Sequence, residues 1–203
     1  MDAFLTGVLA GYGIAIPVGA IAILIVEVGI RCGFRCAFAA GAGAASADLL
    51  YAGLAVMGGV ALADVVESVD QPLRFVSAGV LVVIAVVGLR RVGRTRESGE
   101  FSFPDRRELA TTYARFVGLT IINPTTILFF AAVIVGLGVA EEMSASEGLL
   151  FSLGAFLASL SWQTLLAGIG AVAGDRLSTR AQTAAIVSGN IVILVFAIVI
   201  LLR

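Results

Sequence analysis

From Ala3 to Val26 no side chain carries a charge, yet a proline stands inside the run at Pro17. A helix of about 20 apolar residues crosses the hydrocarbon of a bilayer. There a backbone must satisfy its own hydrogen bonds. Pro17 prevents this locally, because proline has no backbone donor and clashes with the carbonyl one turn earlier. Groups freed in this way are tolerated only when buried in protein or facing a wet cavity. The break is glycine-rich, Gly11-Tyr12-Gly13-Ile14-Ala15-Ile16-Pro17-Val18-Gly19-Ala20. It has a counterpart in the second half, Gly118-Leu119-Thr120-Ile121-Ile122-Asn123-Pro124-Thr125, with glycine and proline at the same spacing. Broken segments at corresponding positions of two halves point to a transporter's binding site.

The totals support this reading. The chain of 203 residues is 60% hydrophobic and 13% charged, against about 25% charged in soluble domains. A polytopic membrane protein with no soluble domain follows. Every basic residue is arginine, and histidine is absent. This excludes Cys/His zinc sites and histidine acid–base chemistry. No P-loop is present. No enzyme, cofactor, metal or nucleic-acid partner is expected. The N-terminus lacks the basic region of a cleavable signal peptide, so the first span is expected to remain.

Six spans are predicted, at about 3–26, 36–63, 73–89, 116–140, 148–174 and 181–202. Gly7 and Gly11 in span one have the spacing that lets another helix approach closely. Glu27 and Arg31 are one turn apart, and we expect a solvated ion pair at the membrane edge. Asp48 is the one charge inside span two, so it should face the bundle interior with a partner. Ser46 and Tyr51 lie near it, Tyr51 on its face. Asp105 with Glu108 reads as a variant capping box before span four. Trp162 and Gln163 in span five both need hydrogen-bond partners and should face inward. Cys32 and Cys36 are expected to be small apolar fillers.

Arginines concentrate in the connections after spans one, three and five; only Arg74 and Arg203 fall on the other side. The positive-inside rule then makes those three connections cytoplasmic. The arginine run between spans three and four is expected to be a topology signal rather than a lipid-headgroup site. The repeat extends beyond the prolines: Ser46-Ala47-Asp48-Leu49-Leu50-Tyr51-Ala52-Gly53 aligns with Ser161-Trp162-Gln163-Thr164-Leu165-Leu166-Ala167-Gly168. Asp48 then corresponds to Gln163. With three spans per half, the halves must be oppositely oriented, a 3+3 inverted repeat with helices one and four broken at proline. We read one transporter domain: repeat one about 1–90, a polar cytoplasmic loop about 90–112, and repeat two about 113–203.

These residues resemble the LysE/RhtB superfamily of amino-acid exporters along nearly the whole chain. The resemblance rests on Ile16-Pro17-Val18-Gly19-Ala20, on Asp48 within Ser46-Ala47-Asp48-Leu49, and on Trp162. It rests most specifically on Asn123-Pro124-Thr125-Thr126-Ile127-Leu128-Phe129-Phe130. Ala20 departs from the Pro-x-Gly-Pro motif of the lysine/arginine exporters. The resemblance implies a secondary transporter of the bacterial cytoplasmic membrane, exporting an amino acid or close derivative by the proton motive force. Membrane lipid and protons would be its other partners, and its small-residue faces leave room for a homo-oligomer.

The residues expected to bind substrate are Pro17, Gly19, Asp48, Asn123, Pro124, Thr125, Trp162 and Gln163. A half-helix N-terminus suits a carboxylate, and Gly19 lets it approach the backbone. Thr125 and Thr126 would add hydroxyl donors, and Asp48 would meet the ammonium or exchange a proton. The alternatives are a metal-ion exporter of related architecture, a membrane thiol–disulfide carrier using Cys32 and Cys36, and a purely structural membrane subunit.

Overall fold

The computed structural model describes residues 2–17, 19–90, 105–123, 126, 129–130 and 143–202, with the backbone alone at 58–71 and 73–74. Among the described residues the structure is helical. Its principal elements are α1 (Ala3–Ala15), α2 (Ala20–Cys32), α3 (Phe34–Arg90), α4 (Arg106–Ile121), α5 (Ala145–Arg176) and α6 (Thr179–Leu202). Asp2, Asp105 and Ser144 cap the starts of α1, α4 and α5, each accepting a backbone N–H. At Ser144 the full capping box forms with Glu147. Gly33 lies between α2 and α3 with φ of 83°, a conformation that glycine adopts without steric cost.

Three described helical stretches are long and apolar enough to span: Phe34–Met57, α5 and α6. The expected first span is the pair α1 and α2, whose axes differ by 77° across the break at Pro17. Phe75–Arg90, the expected third span, is a shorter apolar helix. Most of the expected fourth span beyond Asn123 lies outside the described residues.

α3 cannot be a straight rod. Tyr51 donates to the carbonyl of Ile121 and Ser77 to that of Ile122, neighbouring residues at the end of α4. A straight helix would separate Tyr51 and Ser77 by roughly 39 Å at about 1.5 Å per residue. The chain must double back between Met57 and Phe75, giving two arms. The ends of α3 agree: Arg31, just before its start, donates to the Gly88 carbonyl near its finish at 3.3 Å.

That contact belongs to one end of the molecule. Glu108 of α4 lies 4.0 Å from Cys32 Sγ, and Gly174 near the end of α5 packs on Ile30. The α2–α3 and α5–α6 junctions and the facing ends of α3 and α4 thus gather on the side where the arginines concentrate.

The packing is made by small residues. Apolar chains gain nothing by meeting each other rather than lipid, so helices in a bilayer associate through close backbone approach and hydrogen bonds. A Cβ built at Gly7 would overlap the carbonyl of Phe151, and one at Gly11 that of Ala155. Further along, Gly29 and Gly170 meet backbone to backbone. Thus α1 and α2 both lie on α5, and the expected close-approach role of Gly7 and Gly11 holds. Tyr12 and Ser161 add a hydroxyl pair at 2.8 Å.

Two expectations need correction. Glu27 and Arg31 do form an ion pair at 2.9 Å, but their side chains are only 12% and 22% exposed. Asn190 of α6 also donates to Glu27, at 2.9 Å. The pair is therefore packed between helices, not solvated at an edge. Cys32 and Cys36 are not independent fillers either: they are joined as a disulfide, with Cα atoms 5.8 Å apart.

The glycine seam gives a test with opposite signs. Gly11→Ala should lower stability in detergent by about 1–3 kcal/mol, through backbone overpacking. Gly53→Ala meets nothing within 4 Å and should stabilise by about 0.5–1 kcal/mol through helix propensity. Thermal unfolding of the two purified variants checks this.

Candidate functional site

The two breaks face one cavity of about 200 Å³. Ile14, Pro17 and Gly19 line it from the α1–α2 break, and Ala20, Ile21 and Ala22 from the first turn of α2. Asp48 and Ala44 come from the first arm of α3, and Leu81 from the second. The second break contributes Thr120, Asn123, Thr126 and Phe129; α5 contributes Gln163, and α6 Phe196 and Ile200. The volume is below the ~300–1,000 Å³ typical of drug-sized sites, a size for a small molecule.

Asp48 is the charged residue of this wall among the described residues. It is buried, and Ser159 of α5 donates to its Oδ2 at 2.6 Å. A hydrogen bond to a charged group contributes about 1.5–3 kcal/mol, and a charge buried without one is costly. Tyr51 shares Asp48's helical face, as expected, but spends its hydroxyl on the Ile121 carbonyl. Ser46 is engaged elsewhere, donating to the Ala42 carbonyl and accepting from Tyr113.

Of four polar side-chain atoms buried without a hydrogen-bond partner among the described residues, two belong to this wall: Thr120 Oγ1 and Gln163 Oε1. Both residues line the cavity. Buried polar atoms are nearly always paired, so these two are placed to receive a ligand's hydrogen bonds. Gly19 is the N-cap of α2 and supplies no side-chain cap. The first amides of α2, which have no intrahelical acceptor, therefore stand at the cavity wall with the positive end of the helix dipole.

The structure brings together Pro17, Gly19, Asp48, Asn123 and Gln163 of the expected set. Asp48 and Gln163, aligned as repeat counterparts, line the same cavity. Trp162 is not in the wall; it packs against the core, and its buried Nε1 meets no partner among the described residues. Pro124 and Thr125 lie outside the described residues, while Thr126 lines the cavity. Thr120 and Ser159 were missed by sequence reasoning. Ser159 was findable: it precedes Gln163 by one helical turn, so the two share a face. Neither cysteine lines this cavity. The Cys32–Cys36 disulfide lies apart from it, beside Glu108 at the start of α4.

The family model for "LysE type translocator" matches residues 13–203, nearly the whole chain and both breaks. Among curated proteins and among solved structures nothing matches.

The Asp48–Ser159 bond should appear as coupling. In a double-mutant cycle with Asp48→Ala and Ser159→Ala, we expect about 1–3 kcal/mol of interaction energy. Thermal unfolding of the four purified forms measures it; additive effects would mean that the bond contributes nothing to stability.

Proposed function

Because the chain belongs to the LysE type translocator family, a family of membrane transporters, we propose that it exports an amino acid or close derivative through the Asp48 cavity. The observation carrying this reading is the presence, in the wall of one small cavity, of both a buried carboxylate and a helix N-terminus without a side-chain cap. An amino acid presents an ammonium and a carboxylate. Asp48 would take the first and the opening amides of α2 the second. Thr120, Asn123 and Gln163 would orient the ligand by hydrogen bonds, and the apolar wall of Phe129, Phe196 and Ile200 would receive a side chain. Pro124 and Thr125 would shape the second break.

In this reading the fold is a 3+3 inverted repeat, with α1–α2 packing on α5 as α4 packs on the first arm of α3. Coupling runs through Asp48: a carboxylate that alternately holds a proton and an ammonium ties outward substrate flux to inward proton flux. The arginine-bearing end faces the cytoplasm by the positive-inside rule, in a bacterial cytoplasmic membrane. A metal-ion exporter is less well served, since the described wall offers one carboxylate rather than a set of hard ligands. A thiol–disulfide carrier would need cysteines in the cavity.

Metabolite profiling of medium from cells with and without the chain tests this. We expect one or a few amino acids to accumulate outside only when the chain is present. Asp48→Asn at equal membrane abundance should reduce that export at least tenfold; full export with unchanged pH dependence would remove Asp48 from the mechanism.

A further inference from the structure

We propose a second ligand site, a vestibule at the arginine-bearing end, where a zwitterionic amino acid is received before it reaches Asp48. The proposal rests on the export reading above. The site is a cavity of about 320 Å³ between α2, the second arm of α3, α4 and α6. Its charged wall residues are Glu27, Arg31 and Arg115, set among apolar neighbours such as Leu24, Ile84 and Phe116.

The charges are not arranged as a simple ion pair. Glu27 accepts from Arg31 Nε through Oε1 and from Asn190 Nδ2 through Oε2, each at 2.9 Å. Arg31 also donates through Nη2 to the Gly88 carbonyl. Glu27 and Arg31 are thereby held at fixed positions by three helices. Arg115 is different: it lines the same cavity yet forms no ion pair among the described residues. Two guanidinium groups and one carboxylate leave the vestibule with an excess positive charge. Arginine offers a carboxylate a planar, two-pronged donor, so Arg115 would take the ligand's carboxylate. Glu27, already fixed in place, would face its ammonium.

The vestibule is aligned with the central cavity. Arg115, Leu119 and Asn123 succeed one another at one-turn spacing along α4 and its end. Arg115 lines the vestibule, Asn123 lines the Asp48 cavity, and Leu119 stands between them. The space between is about 10 Å³, walled by Leu81, Leu119, Ala20 and Ile21 among others. That is room for about one water. The two chambers are mainly apolar, each with a few polar groups, Glu27, Arg31, Arg115 and Asn190 in the vestibule and Asp48, Thr120, Asn123, Thr126 and Gln163 in the cavity, and Leu81 and Leu119 narrow the space where their walls meet.

The test uses inverted membrane vesicles, which expose the cytoplasmic face to the medium. Energised vesicles carrying the wild type or a variant receive a 14C-labelled mixture of the twenty protein amino acids, and initial uptake is measured against concentration. Arg115→Gln should raise the half-saturating concentration about tenfold, with the plateau per inserted chain within twofold of wild type. Arg115→Lys, which keeps the charge, should stay within about threefold. Asp48→Asn should instead lower the plateau. If Arg115→Gln leaves half-saturation within twofold, the vestibule is overturned while wild-type uptake still upholds export. An arginine that only anchors lipid phosphate would lower the amount inserted and leave half-saturation alone, which also overturns it. No uptake by wild-type vesicles removes both readings.

Discussion

A helix interrupted inside a membrane must dispose of the backbone groups it frees, and this requirement organises the molecule. At the end of α4 the carbonyls of Ile121 and Ile122 are taken by hydroxyls, one from each arm of α3. A buried acceptor left alone costs about 1–3 kcal/mol. Tyr51 and Ser77 therefore stabilise the break itself. They also fix its position against α3, and with it Thr120, Asn123 and Thr126 on the cavity side. Tyr51 lies one turn from Asp48, so the arm that seals the break also sets the depth of the carboxylate.

The two breaks are treated differently, and the difference gives the cavity its polarity. The carbonyl end of α4 is closed by protein hydroxyls. The amide end of α2 starts at Gly19 with no side-chain cap among the described residues, which leaves its positive dipole end at the cavity wall. Asp48 faces the same cavity from the first arm of α3. The cavity thus has a cation-seeking group and an anion-seeking group, with neutral polar side chains at Thr120, Asn123, Thr126 and Gln163, an apolar remainder, and no large net charge. That pattern matches a zwitterion better than a simple ion of either sign.

Much of this was legible in the sequence because hydrocarbon makes exceptions conspicuous. A carboxylate in an apolar run has to be buried and partnered, and Asp48 is. A proline in a span has to break it, and α1 ends just before Pro17. Arginine asymmetry marked one end of the molecule, where three junctions gather. What stayed hidden depends on pairing between distant segments. Serine or threonine in a membrane helix usually returns its hydroxyl to its own backbone, as Ser152 and Thr164 do; only the one-turn spacing from Gln163 sets Ser159 apart. Trp162 looked like a cavity residue because a buried indole N–H needs a partner, as the Gln163 amide does, but adjacent helical positions point about 100° apart, and Gln163 took the cavity. Glu27 and Arg31 looked like an exposed pair because i,i+4 pairs usually are. The Gly88 carbonyl of α3 and Asn190 of α6 enclose them.

The packing also distinguishes what can move from what cannot. α1 and α2 lie on α5 through Gly7, Gly11, Gly29 and Gly170, where backbone meets backbone with no room for a Cβ. Sliding or rotating those helices would drive side chains into main chain, so α5 and the α1–α2 pair act as one block. The constriction between vestibule and Asp48 cavity has its bulk in the leucine side chains Leu81 and Leu119. Rotamer changes there require no change in the glycine seam. Gly43 of α3 lies as close to the Tyr113 carbonyl of α4, so a path between the chambers opens through these leucine side chains rather than by movement of helices. The polar groups follow the same division: Glu27 and Gly19 ride on the fixed block, whereas Arg115 and Asn123 flank the movable constriction.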